Sequence, residues 1–320
     1  MQKSTKILIA YDGSDFSDAA LADLDRAGIP DDAEAVLLSV ADAGDPPGLT
    51  DRAVPETGKV PMQSAETIRQ HLHEMIEQTR VTAESAADRI RGMFPSWNVS
   101  ARAVTGSPAA ELIKTADEWK ADVIVVGSHG RGFLGRAVLG SVSMKVLHEA
   151  ACSVRIARAS VSAPGSPTRV LIAVDGSPNA DLALDHVLER TWPESTEFRL
   201  ITADNDPGSR PETSVLDMVP EGKEDSPEAK AWVDRVLRGP SRKIKSAGLN
   251  VSQACRWGDA ADVILNEATG WKADSIFVGA RGLGRFHRLM IGSVSGAVAA
   301  KAKCSVEVVR DNTGNPLIIE

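Results

Sequence analysis

Apolar residues in this chain gather in short runs separated by longer amphipathic stretches. In the first half the runs at 6–11, 35–40, 98–103, 121–127 and 153–158 are near-continuously apolar where best defined, as parallel strands covered on both faces are. Residues 65–91 place Ile68, Leu72, Met75, Ile76, Thr79, Ala83, Ala86, Ala87 and Ile90 at helical spacing, which predicts one long helix with a core-packing stripe rather than a cofactor-binding one. Ser14 and Ser177 suit helix N-caps, and Pro178 suits a first helical position. Alternating β and α units imply an α/β fold with an open, doubly wound parallel sheet.

The pattern occurs twice. Lys6-Ile-Leu-Ile-Ala-Tyr-Asp-Gly-Ser14 returns as Arg169-Val-Leu-Ile-Ala-Val-Asp-Gly-Ser177, and Ala121-Asp-Val-Ile-Val-Val-Gly127 returns as Ala273-Asp-Ser-Ile-Phe-Val-Gly279. Trp119 and Trp271 precede the latter runs at the same distance. Ala159 to Pro167, rich in Ser, Ala, Pro and Gly, reads as a linker, giving domains at 1–158 and 168–311 and a tail at 312–320. The copies differ most in the middle. There the second helix is interrupted by Gly239-Pro240, where proline removes a backbone bond. The segments 43–64 and 204–227, rich in Pro, Gly and charge, read as surface loops or as lids over a ligand.

Composition narrows the setting. A length of 320 residues, 42% hydrophobic and 25% charged, suits two globular domains, each long enough to bury a core. A net charge of -8 disfavours a general nucleic-acid or anionic-membrane surface. Cys152, Cys255 and Cys304 are odd in number, form no CxxC pair and read as small buried apolar residues. His71 and His73, two apart, do not share a helix face and read as surface residues, not metal ligands. The apolar run before Tyr11 is too short for a secretory signal, and no stretch approaches a membrane span, so a cytoplasmic setting is expected.

Ligands of such sheets sit beyond the carboxyl ends of strands, where strand order reverses. Directly after the fourth strand comes Gly127-Ser-His-Gly130, then nine residues, then Gly140-Ser141-Val142-Ser143; the second copy has Gly279-Ala-Arg-Gly282, nine residues, and Gly292-Ser293-Val294-Ser295. Glycines at a strand end let the backbone turn tightly and approach a bulky anion. The Gly-Ser opening of a helix at 141–150 offers free amides and a positive dipole end. The Ser141 and Ser143 hydroxyls are available to donate to the same oxygens, so the parts together make a triphosphate cradle. The alternative is that glycine merely permits tight turns and close helix packing, which serves equally for Gly132, Gly135 and Gly284. The first strands end in Asp12 and Asp175, which would repel phosphate and suit an adenine amine, a ribose hydroxyl or a helix-capping turn. The backbone of Val40-Ala41-Asp42 is placed for a purine edge, with Thr202-Ala203-Asp204 as its counterpart.

These residues resemble the universal stress protein family in its ATP-binding branch, over nearly the whole chain and twice. The resemblance implies strand order 3-2-1-4-5 in each copy. It also implies ATP, with Mg²⁺ left open, held by Asp12, Val40, Gly127, Gly130, Gly140, Ser141, Val142 and Ser143. In the second copy the corresponding residues are Asp175, Gly279, Gly282, Gly292, Ser293, Val294 and Ser295. It further implies pairing through the last strand, which here lets 153–158 meet 305–310 within one chain, with homodimerisation as a further expectation. Departures from the pattern are Ala280-Arg281 in place of Ser128-His129, with Arg281 either neutralising phosphate charge or filling the pocket, Thr202 in place of Val40, and Tyr11, whose bulk is expected to narrow the first pocket. The implied role is an ATP-responsive regulatory protein with an unidentified protein partner. Against an ATPase or phosphotransferase stand the missing P-loop lysine and the lack of any base candidate other than His129, itself readable as a phosphate contact or surface residue. A nucleotide-free interaction scaffold is the third reading, and Asp12-Gly-Ser-Asp15 in place of GxGxxG disfavours a dinucleotide enzyme.

Overall fold

The computed structural model describes residues 4–42, 62–130, 139–159, 165–204, 236–282 and 291–311, without the side chains of 62–68, 71, 72, 204 and 257. The expectations for loops 43–61 and 205–227, for Gly132, Gly135 and Gly284, for the His71 side chain, the linker centre and the 312–320 tail lie outside the described residues.

The first half runs β1 (Lys6–Ala10), α1 (Asp15–Asp23), a 3₁₀ turn (Leu24–Arg26), β2 (Glu34–Ala41), α2 (Met62–Met93), β3 (Asn98–Thr105), α3 (Pro108–Trp119), β4 (Val123–Gly127), α4 (Ser141–Glu149) and β5 (Ser153–Ala157). The second half runs β6 (Arg169–Ala173), α5 (Pro178–Leu188), β7 (Glu197–Asp204), α6 (Arg238–Ser246), β8 (Val251–Trp257), α7 (Ala260–Trp271), β9 (Ser275–Gly279), α8 (Ser293–Lys301) and β10 (Ser305–Val309). The local signals explain the boundaries. Ser14 and Ser177 accept from the amides of Ser17 and Ala180 as N-caps, and Pro178 occupies the first turn of α5. The second-half break falls at a turn at Leu237, with Gly239 and Pro240 in the first turn of α6, where a missing N–H costs no helical bond.

Each half keeps the order 3-2-1-4-5, but the two sheets are not separate. They join edge to edge into one ten-stranded sheet, β3-β2-β1-β4-β5-β10-β9-β6-β7-β8. The junction is the antiparallel pair β5–β10, with Val306 opposite Ile156, Glu307 opposite Arg155 and Val308 opposite Val154. Side chains alternate across a strand, so the two faces of this seam differ. On one face Val154, Ile156, Val306 and Val308 join residues of α3, α4, α7 and α8 in a single apolar layer that spans both halves. The other face has two separate apolar clusters, one under α1 and α2 and one under α5 and α6. At the seam on that face lie Asp23, Arg155, Arg190 and Glu307, with Arg155 bonded to both carboxylates and Arg190 to Glu307. Breaking such a buried ionic cluster by removing one member costs roughly 3–5 kcal/mol.

Candidate functional site

In each half, β1 or β6 has its partners on opposite sides: β2 and β4 in the first, β7 and β9 in the second. The connections leaving the carboxyl ends diverge there and open a crevice. The first holds a cavity of ≈ 620 Å³ and the second one of ≈ 570 Å³, both within the roughly 300–1,000 Å³ of small-molecule sites. All eight residues expected in the first half line the first cavity: Asp12, Val40, Gly127, Gly130, Gly140, Ser141, Val142 and Ser143. All seven of the second half, Asp175, Gly279, Gly282, Gly292, Ser293, Val294 and Ser295, line the second.

The structure gives the glycines separate tasks. A Cβ on Gly127 would lie 2.7 Å from the Phe16 carbonyl oxygen, and one on Gly279 would lie 2.6 Å from that of Asn179. These two glycines admit the first turn of the neighbouring helix, so close packing accounts for them. Gly130 and Gly282 instead face carboxylates; their Cβ atoms would stand 3.2 Å from Asp12 Oδ2 and 2.5 Å from Asp175 Oδ2. Gly140 donates its N–H to the Ser128 carbonyl at 2.9 Å, tying the start of α4 to the residue after β4, and Gly292 does the same to Ala280 at 2.7 Å. The first amides of α4 follow, from Ser141 to Ser143, a stretch of helix with no intrahelical acceptor for its N–H groups.

Three expectations are corrected. The Ser143 hydroxyl does not face a ligand: it is buried and donates to the Gly127 carbonyl at 2.7 Å, as Ser295 does to Ala280 at 2.9 Å, so both tie helix to strand. Tyr11 lines the first cavity, with its hydroxyl bonded to Asp18, 2.7 Å off, and to Arg89. The counterpart of Val40 is Ala203 rather than Thr202. Ala10 pairs with Leu38 and Ala173 with Ile201, so the residues next along are Ser39 and Thr202. Finally, the long helix is not purely core-packing. Ala83, Ala86, Ala87 and Ile90 are buried, whereas Met75 and Thr79 line the cavity beside Gln78 and Thr82. Polar residues recurring at 78, 79 and 82 along an apolar stripe were the sequence signal for that wall.

Asp12 is both cap and lining residue. Its Oδ1 accepts from the Ser14 amide at 3.0 Å and the Ser14 hydroxyl at 2.6 Å, closing the turn into α1, and Asp175 accepts from the Ser177 amide at 2.9 Å. His129 is not a surface residue: it is buried in the cavity wall, its Nδ1 3.1 Å from Ser128 Oγ and its ring 4.9 Å from that of Phe16. Its counterpart Arg281 lines the second cavity and is partly exposed. His73 is exposed. Cys152 and Cys304 are buried, Cys255 is half-buried, and none of the three is joined in a disulfide. Among the described residues no three His, Cys, Asp or Glu side chains converge on a metal position, and no helix is long and apolar enough to cross a membrane.

Comparison with known proteins follows the same duplicated outline. The model of the universal stress protein family matches residues 3–158 and again 167–310. A universal stress protein of Mycolicibacterium smegmatis is 27% identical over 305 residues, covering 95% of this chain and 96% of its own. One from Mycobacterium tuberculosis is 26% identical over 252 residues, covering 73% and 77%. Among solved structures, a universal stress protein from Archaeoglobus fulgidus superposes with a TM-score of 0.66 at 24% identity, over 96% of this chain and 99% of that one.

Proposed function

The chain belongs to the universal stress protein family, and from that premise we propose that it binds an adenine nucleotide, ATP, as a regulatory signal rather than as fuel. The observation that carries this reading is the first turn of α4, whose amides open into a ≈ 620 Å³ cavity beside Asp12 and the end of β2. Free amides at a helix start favour a polyphosphate. The apolar stretch formed by Leu38, Val40, Leu112 and Val126 suits a purine, with the main chain at Val40 as its polar edge and the Asp12 carboxylate toward a ribose hydroxyl. The second cavity offers the same frame, with Arg281 as a cation for phosphate. Mg²⁺ would accompany the phosphates, since an ion held chiefly by phosphate and water needs few protein ligands.

A second reading, a slow ATPase, rests on one observation: His129 is buried within the first cavity's wall. Calorimetry with ATP, ADP and AMP tests the first reading, and phosphate release by the protein and by His129→Ala tests the second. Binding of ATP without turnover is expected. Absence of any heat or saturation with all three nucleotides at millimolar concentration sinks the proposal.

A further inference from the structure

The two helices that open the cavities end differently from their neighbours on the same face of the sheet. α3 and α7 stop at Lys120 and Lys272, both left-handed (φ 59° and 56°), whose N–H groups close back on the carbonyls of Ala116 and Ala268. α4 and α8 stop instead at Ala150 and Ala302 in extended backbone, with ψ of 140° and 148°, the cap amides bonded to Val146 and Val298. Further carbonyls at these ends are met from the opposite half. Arg310, just past β10, donates across the seam to Leu147 near the end of α4 and to Cys152 just beyond it. Arg158, just past β5, donates to Ala299 in the last turn of α8 at 2.6 Å and to Cys304 at 3.2 Å. The exchange is reciprocal in the main chain too: the Arg158 amide donates to Ser305 Oγ at 2.9 Å and the Arg310 amide to Ser153 Oγ at 3.1 Å.

Nine residues are too few for a helix to hold its shape unaided in water. Cations on the last carbonyls satisfy acceptors that would otherwise be orphaned and complement the negative end of the dipole. Burial pulls both guanidinium pKa values down to about 10, which leaves them charged at neutral pH. A ligand gripped by the first-turn amides needs those amides fixed before it arrives. Building on the nucleotide reading above, we propose that each cavity's phosphate-facing helix is positioned by an arginine of the other half, Arg310 serving the first cavity and Arg158 the second. Neither arginine touches the ligand, and neither half has a complete site of its own.

The test measures ATP affinity by calorimetry for Arg310→Met and Arg158→Met. Each is made in a Gly282→Val background, which leaves the first cavity, and in a Gly130→Val background, which leaves the second. Arg310→Met is expected to weaken the first cavity about five-fold and change the second by less than about two-fold, and Arg158→Met to do the reverse. Equal losses at both cavities, or none at either, overturn the proposal. Amide hydrogen exchange gives a readout that needs no nucleotide. Arg310→Met should speed exchange in α4 and leave α8 protected, with the converse for Arg158→Met, and uniform exchange in the two helices overturns the proposal as well. If the unmutated protein binds no ATP, the nucleotide reading falls and exchange alone decides the positioning. Should a methionine variant fail to fold, Arg310→Lys and Arg158→Lys, which keep the charge but lose the forked donor, are expected to show the same helix-specific exchange in weaker form.

Discussion

Arg155 and Glu307 occupy the same place in the repeat, the third residue of the last strand in each half, and they face each other across the β5–β10 seam with Nη1 3.3 Å from Oε2. Both are buried, at 1% and 0% side-chain exposure. Their remaining partners invert in sign as well: Asp23 holds Arg155 at 2.6 Å, while Arg190 holds Glu307. Two copies of one half would oppose Arg to Arg, or Glu to Glu, in a site without solvent to screen them, a costly arrangement. Divergence at this one position therefore makes the pairing between unlike halves the favoured one.

Removing the carboxylate charge should cost the fold heavily. Burial alone would raise the Glu307 pKa, but Arg190, then His186 and Arg155, outweigh it and hold it down to about 2, against an ordinary 4.5. A depressed folded pKa means the stabilisation is complete above about pH 4.5 and is lost as pH falls toward 2. The difference is worth about 3 kcal/mol. Urea unfolding at a series of pH values should show Glu307→Gln less stable at pH 7 by roughly 3 kcal/mol or more, with a flatter decline between pH 4.5 and 2. A Gln variant as stable as the parent at pH 7 contradicts the assignment.

Much of this architecture was legible because its signals are local. The repeated strand openings, the Ser14 and Ser177 caps and the Gly–Ser spacing each act within a few residues, and they brought fifteen residues to two cavities. What was not legible depends on geometry between elements. Matching residue types slid Thr202 onto Val40, whereas the hydrogen-bonding register makes it the counterpart of Ser39. Ser143 looked like a phosphate donor because sequence does not reveal that β4 places the Gly127 carbonyl 2.7 Å away. The α2 wall of Met75, Gln78, Thr79 and Thr82 depends on where that helix passes from sheet to cavity, which periodicity alone does not mark.

The register correction leads to a paired prediction on stability. Ser39 Oγ donates to the Tyr11 carbonyl at 2.6 Å, whereas Thr202 Oγ1, its counterpart, is buried and has no hydrogen-bond partner among the described residues. An unsatisfied buried hydroxyl costs about 1–3 kcal/mol. Thr202→Val, close in shape, should therefore stabilise by about 1 kcal/mol and Ser39→Ala should destabilise by a similar amount. Thermal or urea unfolding of the two variants checks this, and a Thr202→Val protein less stable than the parent refutes it.

The thiols should separate by reactivity. Burial pushes Cys152 and Cys304 up to about 12, so almost none of either is thiolate at neutral pH. Cys255, on the edge strand β8, is half-buried. A disulfide-exchange reagent at pH 7.5 should therefore titrate one thiol rapidly in the folded protein and all three in denaturant. Fast reaction at Cys152 or Cys304, located by peptide mapping, would mean that the seam face opens readily.

Gly127 and Gly130 belong to one motif, yet they should fail in different ways. A Cβ at Gly127 meets the Phe16 carbonyl oxygen at 2.7 Å, and that oxygen belongs to the backbone of α1, which moves only as a unit. Gly127→Ala should therefore cost about 1–3 kcal/mol of stability through overpacking. Any loss of ATP affinity should follow from displacement of α1. Among the described residues a Cβ at Gly130 meets only the end of the Asp12 side chain, at 3.2 Å, so the fold should absorb Gly130→Ala with less than about 1 kcal/mol lost. The methyl group, however, lies beside the carboxylate assigned to the ribose and on the path proposed for the phosphates. Gly130→Ala should weaken ATP at the first cavity about ten-fold, and Gly130→Val by about a hundred-fold. Measuring unfolding and ATP affinity on the same preparations separates the two effects. If Gly130→Val keeps full affinity in the Gly282→Val background, the phosphates do not lie where the motif is assigned to hold them.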